Sequence, residues 1–192
     1  MNTPSHLIIT AALRKRLAAR APVPAAAVLW GSVAPDLPLT IMAIVAALYF
    51  HFIVGMTVND ALNLIFYQLF FHNPLWIAAH NFLQAPLILG VSLTLLWRYR
   101  FAETKTRKRW LFWFVAACSL HSMIDIVTHN DDGPLLLFPL NWRRRFESPV
   151  SYWDPAHYGG IFFVFESVLN IVLLGYLLFP RARRWWLARQ AR

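Results

Sequence analysis

Hydrophobic positions along this chain come in long blocks separated by short polar or basic stretches. Leu37–Met56 and Leu75–Trp97 contain no formally charged residue. Spanning a bilayer takes roughly 20 apolar residues at about 1.5 Å each, so each block is long enough to cross as a helix. Trp110–Ile124 is apolar around His121 and leads on to Asp125 and His129, and Gly160–Phe179 is broken only by Glu166 and Asn170. These four blocks predict membrane spans. His6–Leu13 and Val23–Ala34 are too short to span alone. Ala61–Trp76 carries Asn63, Gln68, His72 and Asn73, which suits an interfacial or crossing helix. The expectation is an all-α, polytopic membrane bundle forming a single domain over 1–192, with four spans and two or three short or partial helices.

Composition excludes the soluble alternatives. The chain is 58% hydrophobic and 14% charged, whereas a soluble domain carries about a quarter charged residues. A disordered chain, a collagen-like fibre and an ordinary cytosolic enzyme are excluded on these numbers. The first residues lack the basic segment of a secretory signal, and Arg14–Arg16 interrupt the first apolar run, so none is expected. Cys118 is the single cysteine, so no intrachain disulfide is expected, and it reads as a small core residue.

The net charge of +9 is clustered. Arg14, Lys15, Arg16 and Arg20 form one group. Arg98, Arg100, Lys105, Arg107, Lys108 and Arg109 form a second, and Arg181, Arg183, Arg184, Arg189 and Arg192 a third. Trp97, Trp110, Trp185 and Trp186 sit beside them, as in an interfacial belt. The positive-inside rule puts these groups, including segments 98–110 and 181–192, in the cytoplasm and the 130–158 loop outside. Topology accounts for the basic residues, and no nucleic-acid partner is expected. The loop is rich in proline and aromatic residues, as a structured functional loop is.

Ionisable residues within spans are expensive and mark a cavity, a partner or a metal. His121, Asp125 and His129 fall at i, i+4 and i+8, along one helical stripe where consecutive side chains can share a metal ion. The alternative is a hydrogen-bonded His–Asp network that ties helices together. Asp36 stands between Pro35 and Pro38 at a forced bend, either projecting into a cavity or capping the helix that begins at Leu37. His80 lies about 25 Å along a helix from Arg98, level with His121. His6 and His157 adjoin apolar segments. Glu166 reads as a ligand, a supporting partner or an interhelical hydrogen bonder. Ser122 and Thr128 flank the stripe as supports.

The motifs Ser5-His6-Leu7-Ile8, Ala34-Pro35-Asp36, His80-Asn81, Leu120-His121-Ser122-x-x-Asp125-x-x-Thr128 and Gly133-Pro134-Leu135-Leu136-Leu137-Phe138-Pro139-Leu140 resemble the membrane-bound metal-dependent hydrolases, inner-membrane proteins described as LexA-binding. More distantly the order is similar to the ligands of zinc-dependent phospholipase C. The match is strongest over 120–144. The resemblance implies a bacterial inner-membrane helical protein with a His/Asp metal site and hydrolase chemistry, its site residues His6, Asp36, His80, His121 and Asp125. The chain departs from the family in having Pro38 where a second Asp is usual and Ala79-His80-Asn81 without the usual Arg; His129 or His157 would compensate.

Bringing His6 and Asp36 to the level of His121 requires 6–20 and 23–36 to form a helical hairpin with its basic tip in the cytoplasm. The function this favours is a metal hydrolase with one or two Zn²⁺ ions, another divalent metal being possible. Asp125 or Asp132 would orient or deprotonate the metal-activated water at the extracytoplasmic side. Its substrate would be a membrane lipid or lipid-like ester, with Arg143, Arg144 and Arg145 as phosphate contacts, or else headgroup contacts. The other readings are an ion or proton transporter with a His/Asp relay along the membrane depth, and a non-catalytic membrane partner of a cytoplasmic regulator.

Overall fold

Proline and capping residues divide the chain into helices. The computed structural model describes residues 1–103 and 106–190, with backbone alone for 181–188. Lys105, Arg192 and the side chains of Arg181, Arg183, Arg184, Trp185 and Trp186 lie outside the described residues. Helix α1, Thr3–Leu17, starts with a proline in its first turn and ends with Arg14, Lys15 and Arg16, where cations meet the negative end of the helix dipole. Helix α2 is Ala25–Val33, and α3 is Leu37–Phe52. Helix α4, Val58–Asn63, is capped by Thr57, whose hydroxyl accepts from the Asp60 N–H. It continues through a π-helical turn, Leu64–Leu69, into α5, Phe70–His72. Helix α6 is Pro74–Asn81, capped by Asn73. Helix α7 is Pro86–Leu96, α8 is Thr106–Thr128, and α9 is Gly159–Gln190. Among the described residues no strand occurs.

The all-helical expectation holds, but the four predicted spans do not all survive as single helices. Two helices, Thr106–Thr128 and Gly159–Pro180, are long and apolar enough to cross a membrane. The other two blocks are broken. Leu75–Trp97 divides into α6 and α7, bent by 41°. Pro86 has no N–H to donate and drives Ala85 to an extended ψ of 121°, so the helix stops and restarts. The block 37–56 ends as a helix at Phe52 and pairs instead with α2, at a bend of 44° around Pro35 and Pro38. Counting each bent pair as one span gives four.

Helix α8 is the centre. Its buried positions Val115, Cys118, Ser122 and Asp125 recur every three or four residues, with His121 beside them, a stripe that faces inward. It packs against α1, α2 and α7. Gly31 of α2 permits the closest approach: a Cβ there would run into the Phe114 carbonyl oxygen and lie 2.8 Å from Ala117 Cβ. Small apolar clusters, such as Val23, Val28 and Ala117, complete the contact. Helix α9 docks on α1 and leaves Ile161, Phe163, Val164 and Ile171 exposed. Helix α3 has no buried residue. Apolar surface on this scale is what hydrocarbon covers.

Contacts of α1 fix the ends of the bundle. Asn2 meets Glu166, Ser5 meets Asn170, and Lys15 reaches the Tyr176 carbonyl, so α1 and α9 are parallel. His6 meets Asp125 near the end of α8, so α8 runs the other way. Arg14–Arg16 and the start of α8 therefore share one end, and the polar cluster occupies the other.

Candidate functional site

The α8 stripe sets His121 and Asp125 one turn apart, and α1 lays His6 against both. His6 Nε2 is 2.9 Å from Asp125 Oδ1, and His121 Nε2 is 2.9 Å from Asp125 Oδ2. Asp36, at the bend between α2 and α3, places Oδ1 3.1 Å from His121 Nε2. It does not cap α3 with its side chain. Thr3 and Gln84 donate to its carboxylate instead. The imidazoles of His6 and His121 stack, with centroids 3.7 Å apart and planes inclined by 15°.

The hydrogen bonds constrain the charge here. His121 Nδ1 lies 2.9 Å from the Ser32 carbonyl oxygen. A carbonyl only accepts, so Nδ1 carries a proton. Nε2 then faces two carboxylates, an arrangement that calls for an imidazolium or for a cation on Nε2. The Met1 ammonium adds another positive group, 3.2 Å from Asp125 Oδ1 and 2.9 Å from Thr128 Oγ1. One ligand atom each from His6, His121 and Asp125 lies within 4.8 Å of the others, the one such group of three found among the described residues. Two ligands about 2.0–2.1 Å from a tetrahedral zinc sit about 3.3 Å apart, close to the spacings seen. The residues present fit a metal.

A cavity of about 540 Å³ adjoins the cluster. Asp36, Asp125, His129 and Asp132 line its polar side, and Leu39, Leu62, Phe66, Tyr67, Phe70 and Phe71 its apolar side. The apolar wall comes from α3 and from the helix carrying the π turn, a deviation that re-aims successive side chains.

The remaining predicted residues are distributed around this cavity. His80 lines it and is buried, outside the group of three. His129 also lines it, with Nδ1 3.0 Å from the Asp125 carbonyl oxygen and its ring 4.8 Å from Tyr152. Asp132 accepts from Trp153 Nε1 at 2.8 Å through Oδ2, while Oδ1 is buried with no partner among the described residues. Ser122 donates to the Gln84 carbonyl, and Thr128 to that of Ile124. Glu166, buried, accepts from the backbone and side chain of Asn2, both at 2.9 Å. His157 is not brought to the cluster; it pairs with Asp154 at 2.7 Å in the loop. Arg143 and Arg144 are exposed. Arg145 is half-buried, donates to the Gly133 carbonyl, and lies 5.2 Å from the Phe70 ring centroid and 5.3 Å from that of Phe71.

Outside the spans, burial shifts the loop groups. It lowers Arg145 against the pull of Asp132 and Asp131. It pushes the Tyr152 phenol up to about 12, so Tyr152 offers a neutral hydroxyl.

Sequence reasoning passed over Thr3, Gln84 and the Ser32 carbonyl. Gln84 was the one with a signal: an uncharged amide inside an apolar block, two residues before Pro86. Asn81, noted only beside His80, joins α6 to the loop by accepting from the Leu135 N–H at 2.6 Å and donating to the Ile77 carbonyl at 2.8 Å.

Long apolar helices with a buried His/Asp cluster at one end define a small helical membrane protein. The chain belongs to the YdjM inner membrane protein family, whose model matches residues 1–189. The expected inner-membrane location follows from that membership. Comparison with curated proteins and with solved structures finds no match.

Proposed function

We propose that the protein is a membrane-embedded metal-dependent hydrolase acting on a lipid-like phosphoester. The observation that carries this reading is the approach of His6, His121 and Asp125, with Asp125 also lining a cavity that Asp36, Leu39, Leu62 and Phe66 share. His6, His121 and Asp125 would hold a zinc ion as its three protein ligands, with the fourth position left to water and Asp36 beside it. Bound there, zinc lowers the pKa of a coordinated water towards about 7 and polarises a phosphoryl oxygen.

The chain's own groups do the rest. The Ser32 carbonyl fixes the His121 tautomer, so that Nε2 points at the cluster. Asp125 is occupied by His6 and His121. Asp132, on the cavity wall with Oδ1 unpartnered among the described residues, would take a proton from water. Leu39, Leu62 and Phe66 supply a surface for hydrocarbon. Arg145 props Phe70 and Phe71 from the loop side, whereas Arg143 and Arg144 are left for headgroup contact. Arg14–Arg16 and the start of α8 lie at the opposite end, which under the positive-inside rule favours an extracytoplasmic cavity. Polar groups concentrated at one end suit a site better than a relay through the whole bundle.

The test is metal content by mass spectrometry on detergent-purified protein, wild type against Asp125→Asn, with phosphate release from short-chain phosphatidic acid. One or two equivalents of zinc, lost with activity in the variant, are expected. Wild-type protein purified without chelator yet free of metal would overturn the reading.

A further inference from the structure

The metal reading leaves two buried polar residues of the cavity unused. His80 is 7% exposed and Gln84 1%, and both line the cavity. The helical turn runs on past α6, with the Phe82 N–H donating to the Ala78 carbonyl at 2.9 Å and the Gln84 N–H to that of Asn81 at 3.1 Å. Side chains four positions apart on such a turn share one face, about 5–6 Å between Cβ atoms. Neither ring nitrogen of His80 has a hydrogen-bond partner among the described residues, and neither does Gln84 Oε1. Gln84 Nε2 donates to Asp36 Oδ1 at 3.3 Å, which ties the pair to the edge of the metal cluster. Buried polar atoms are rarely left unpaired, so these three call for a ligand.

Donors and acceptors select that ligand. A buried imidazole with no hydrogen-bonded charge beside it is neutral, and offers one acceptor and one N–H. Gln84 Oε1 adds a second acceptor. Both need donors, and a hydroxyl supplies only one. A primary ammonium supplies three, and one nitrogen with two bonds of about 2.9 Å bridges a gap of about 5 Å. A quaternary ammonium supplies none. Charge points the same way. Asp36, Asp125, Asp131 and Asp132 line the cavity, and no Lys or Arg is among the described residues that do. The Met1 ammonium is held by Asp125 and Thr128, and Arg145 by the Gly133 carbonyl. The N–H left on His80 is matched by an anionic oxygen of the phosphoester itself. We propose that His80 and Gln84 form a headgroup subsite for a primary ammonium, and that the substrate is a zwitterionic phospholipid carrying one. This rests on the hydrolase reading above and names the substrate class of that site.

The experiment uses dihexanoyl phosphatidylethanolamine and its N-methyl, N,N-dimethyl and N,N,N-trimethyl derivatives. Loss of intact lipid, read by mass spectrometry, gives kcat/KM for the detergent-purified protein. Calorimetry on chelator-treated protein, which does not turn the lipid over, gives Kd. One methyl leaves two N–H donors, enough for both acceptors, and should cost less than about threefold. The second methyl removes a donor that the pair needs and should cost about 5–100-fold, with a further fall at the third. His80→Leu and Gln84→Met, checked for wild-type melting, should each narrow the span from the parent lipid to the trimethyl one by the factor of one bond. Should either variant fail to fold, the wild-type series decides by itself. Equal values across the series, an even fall at every methyl as a tight wall would give, or cleavage of phosphatidic acid alone would overturn the subsite while leaving the hydrolase reading in place. Graded binding in a protein that holds no zinc and cleaves none of the lipids would keep the subsite and overturn the hydrolase reading. Wild-type protein without zinc that neither cleaves nor binds any of the four would overturn both.

Discussion

The imidazole of His6 lies flat on that of His121, 3.7 Å between centroids, and Asp125 reaches both, one carboxylate oxygen to each. Two stacked cationic rings would repel, so the pair depends on the carboxylate or on neutral rings sharing a cation. On the proposed zinc reading, His6→Ala should lower zinc affinity by more than the ~10–100-fold that losing an outer partner costs. His157→Ala should leave zinc unchanged, because His157 pairs with Asp154 away from the cluster. Competition titration with a zinc chelator reads both.

Gly31 controls how closely α2 approaches α8. A methyl group there meets backbone at Phe114 and the Ala117 side chain, and backbone does not yield cheaply. Gly31→Ala should destabilise the fold by about 1–3 kcal/mol. On the proposed zinc reading it should also weaken zinc binding, since Ser32 and Asp36 ride on the same segment. Thermal unfolding in detergent, with and without zinc, checks this; an unchanged midpoint would contradict the packing described.

Asn81 joins the α6–α7 break to the 130–158 loop. Asn81→Ala leaves the buried Leu135 N–H without its acceptor, at about 1–3 kcal/mol. The loop should then open to limited proteolysis at residues 130–158 well before the helices are cut. Equal cleavage rates in variant and wild type would show that other contacts hold the loop.

Glu166 accepts twice from Asn2. Glu166→Gln turns one oxygen into a donor facing another donor. It should loosen α1 from α9 and raise amide exchange at the first turn of α1, with Glu166→Asp falling between. Exchange measured by mass spectrometry over residues 1–10 gives the result.

The loop pair responds to acid. A hydrogen bond from His157 holds the Asp154 carboxyl below its ordinary value of 3.8. A carboxyl lowered in the folded state stabilises above its unfolded value, and that contribution disappears as pH falls through the folded one. His157→Ala should therefore raise the Asp154 midpoint, visible by NMR titration of the labelled carboxyl.

The sequence pattern showed some of this better than the rest. Helices α8 and α9 were legible because their apolar blocks carry no internal proline until Pro180. The 75–97 block looked like one span because a charge-free stretch hides Pro86, and backbone geometry decides the break there. His6, Asp36, His121 and Asp125 were each conspicuous as ionisable residues among apolar ones, and the hairpin needed to unite them is formed by α1 and α2. Their contacts were not legible, since Asp36 and His121 are separated by 85 positions. Gln84 escaped notice because an uncharged amide barely disturbs hydropathy. His157 looked equivalent to His129 because spacing cannot tell a loop hydrogen bond from a ligand.

His6 and Asp125 are separated by 119 positions, and that distance has a meaning during synthesis. At about 5–20 residues per second, translation takes roughly 6–24 s to cover it. For most of that interval the first two helices have been made with Ser5, His6 and Asp36 in place, and α8 is not yet available to meet them. The newborn hairpin is thus a pair of short, polar-bearing helices that hydrocarbon receives poorly. It depends on the insertion machinery, or waits near the membrane surface, until the later helix arrives to complete it.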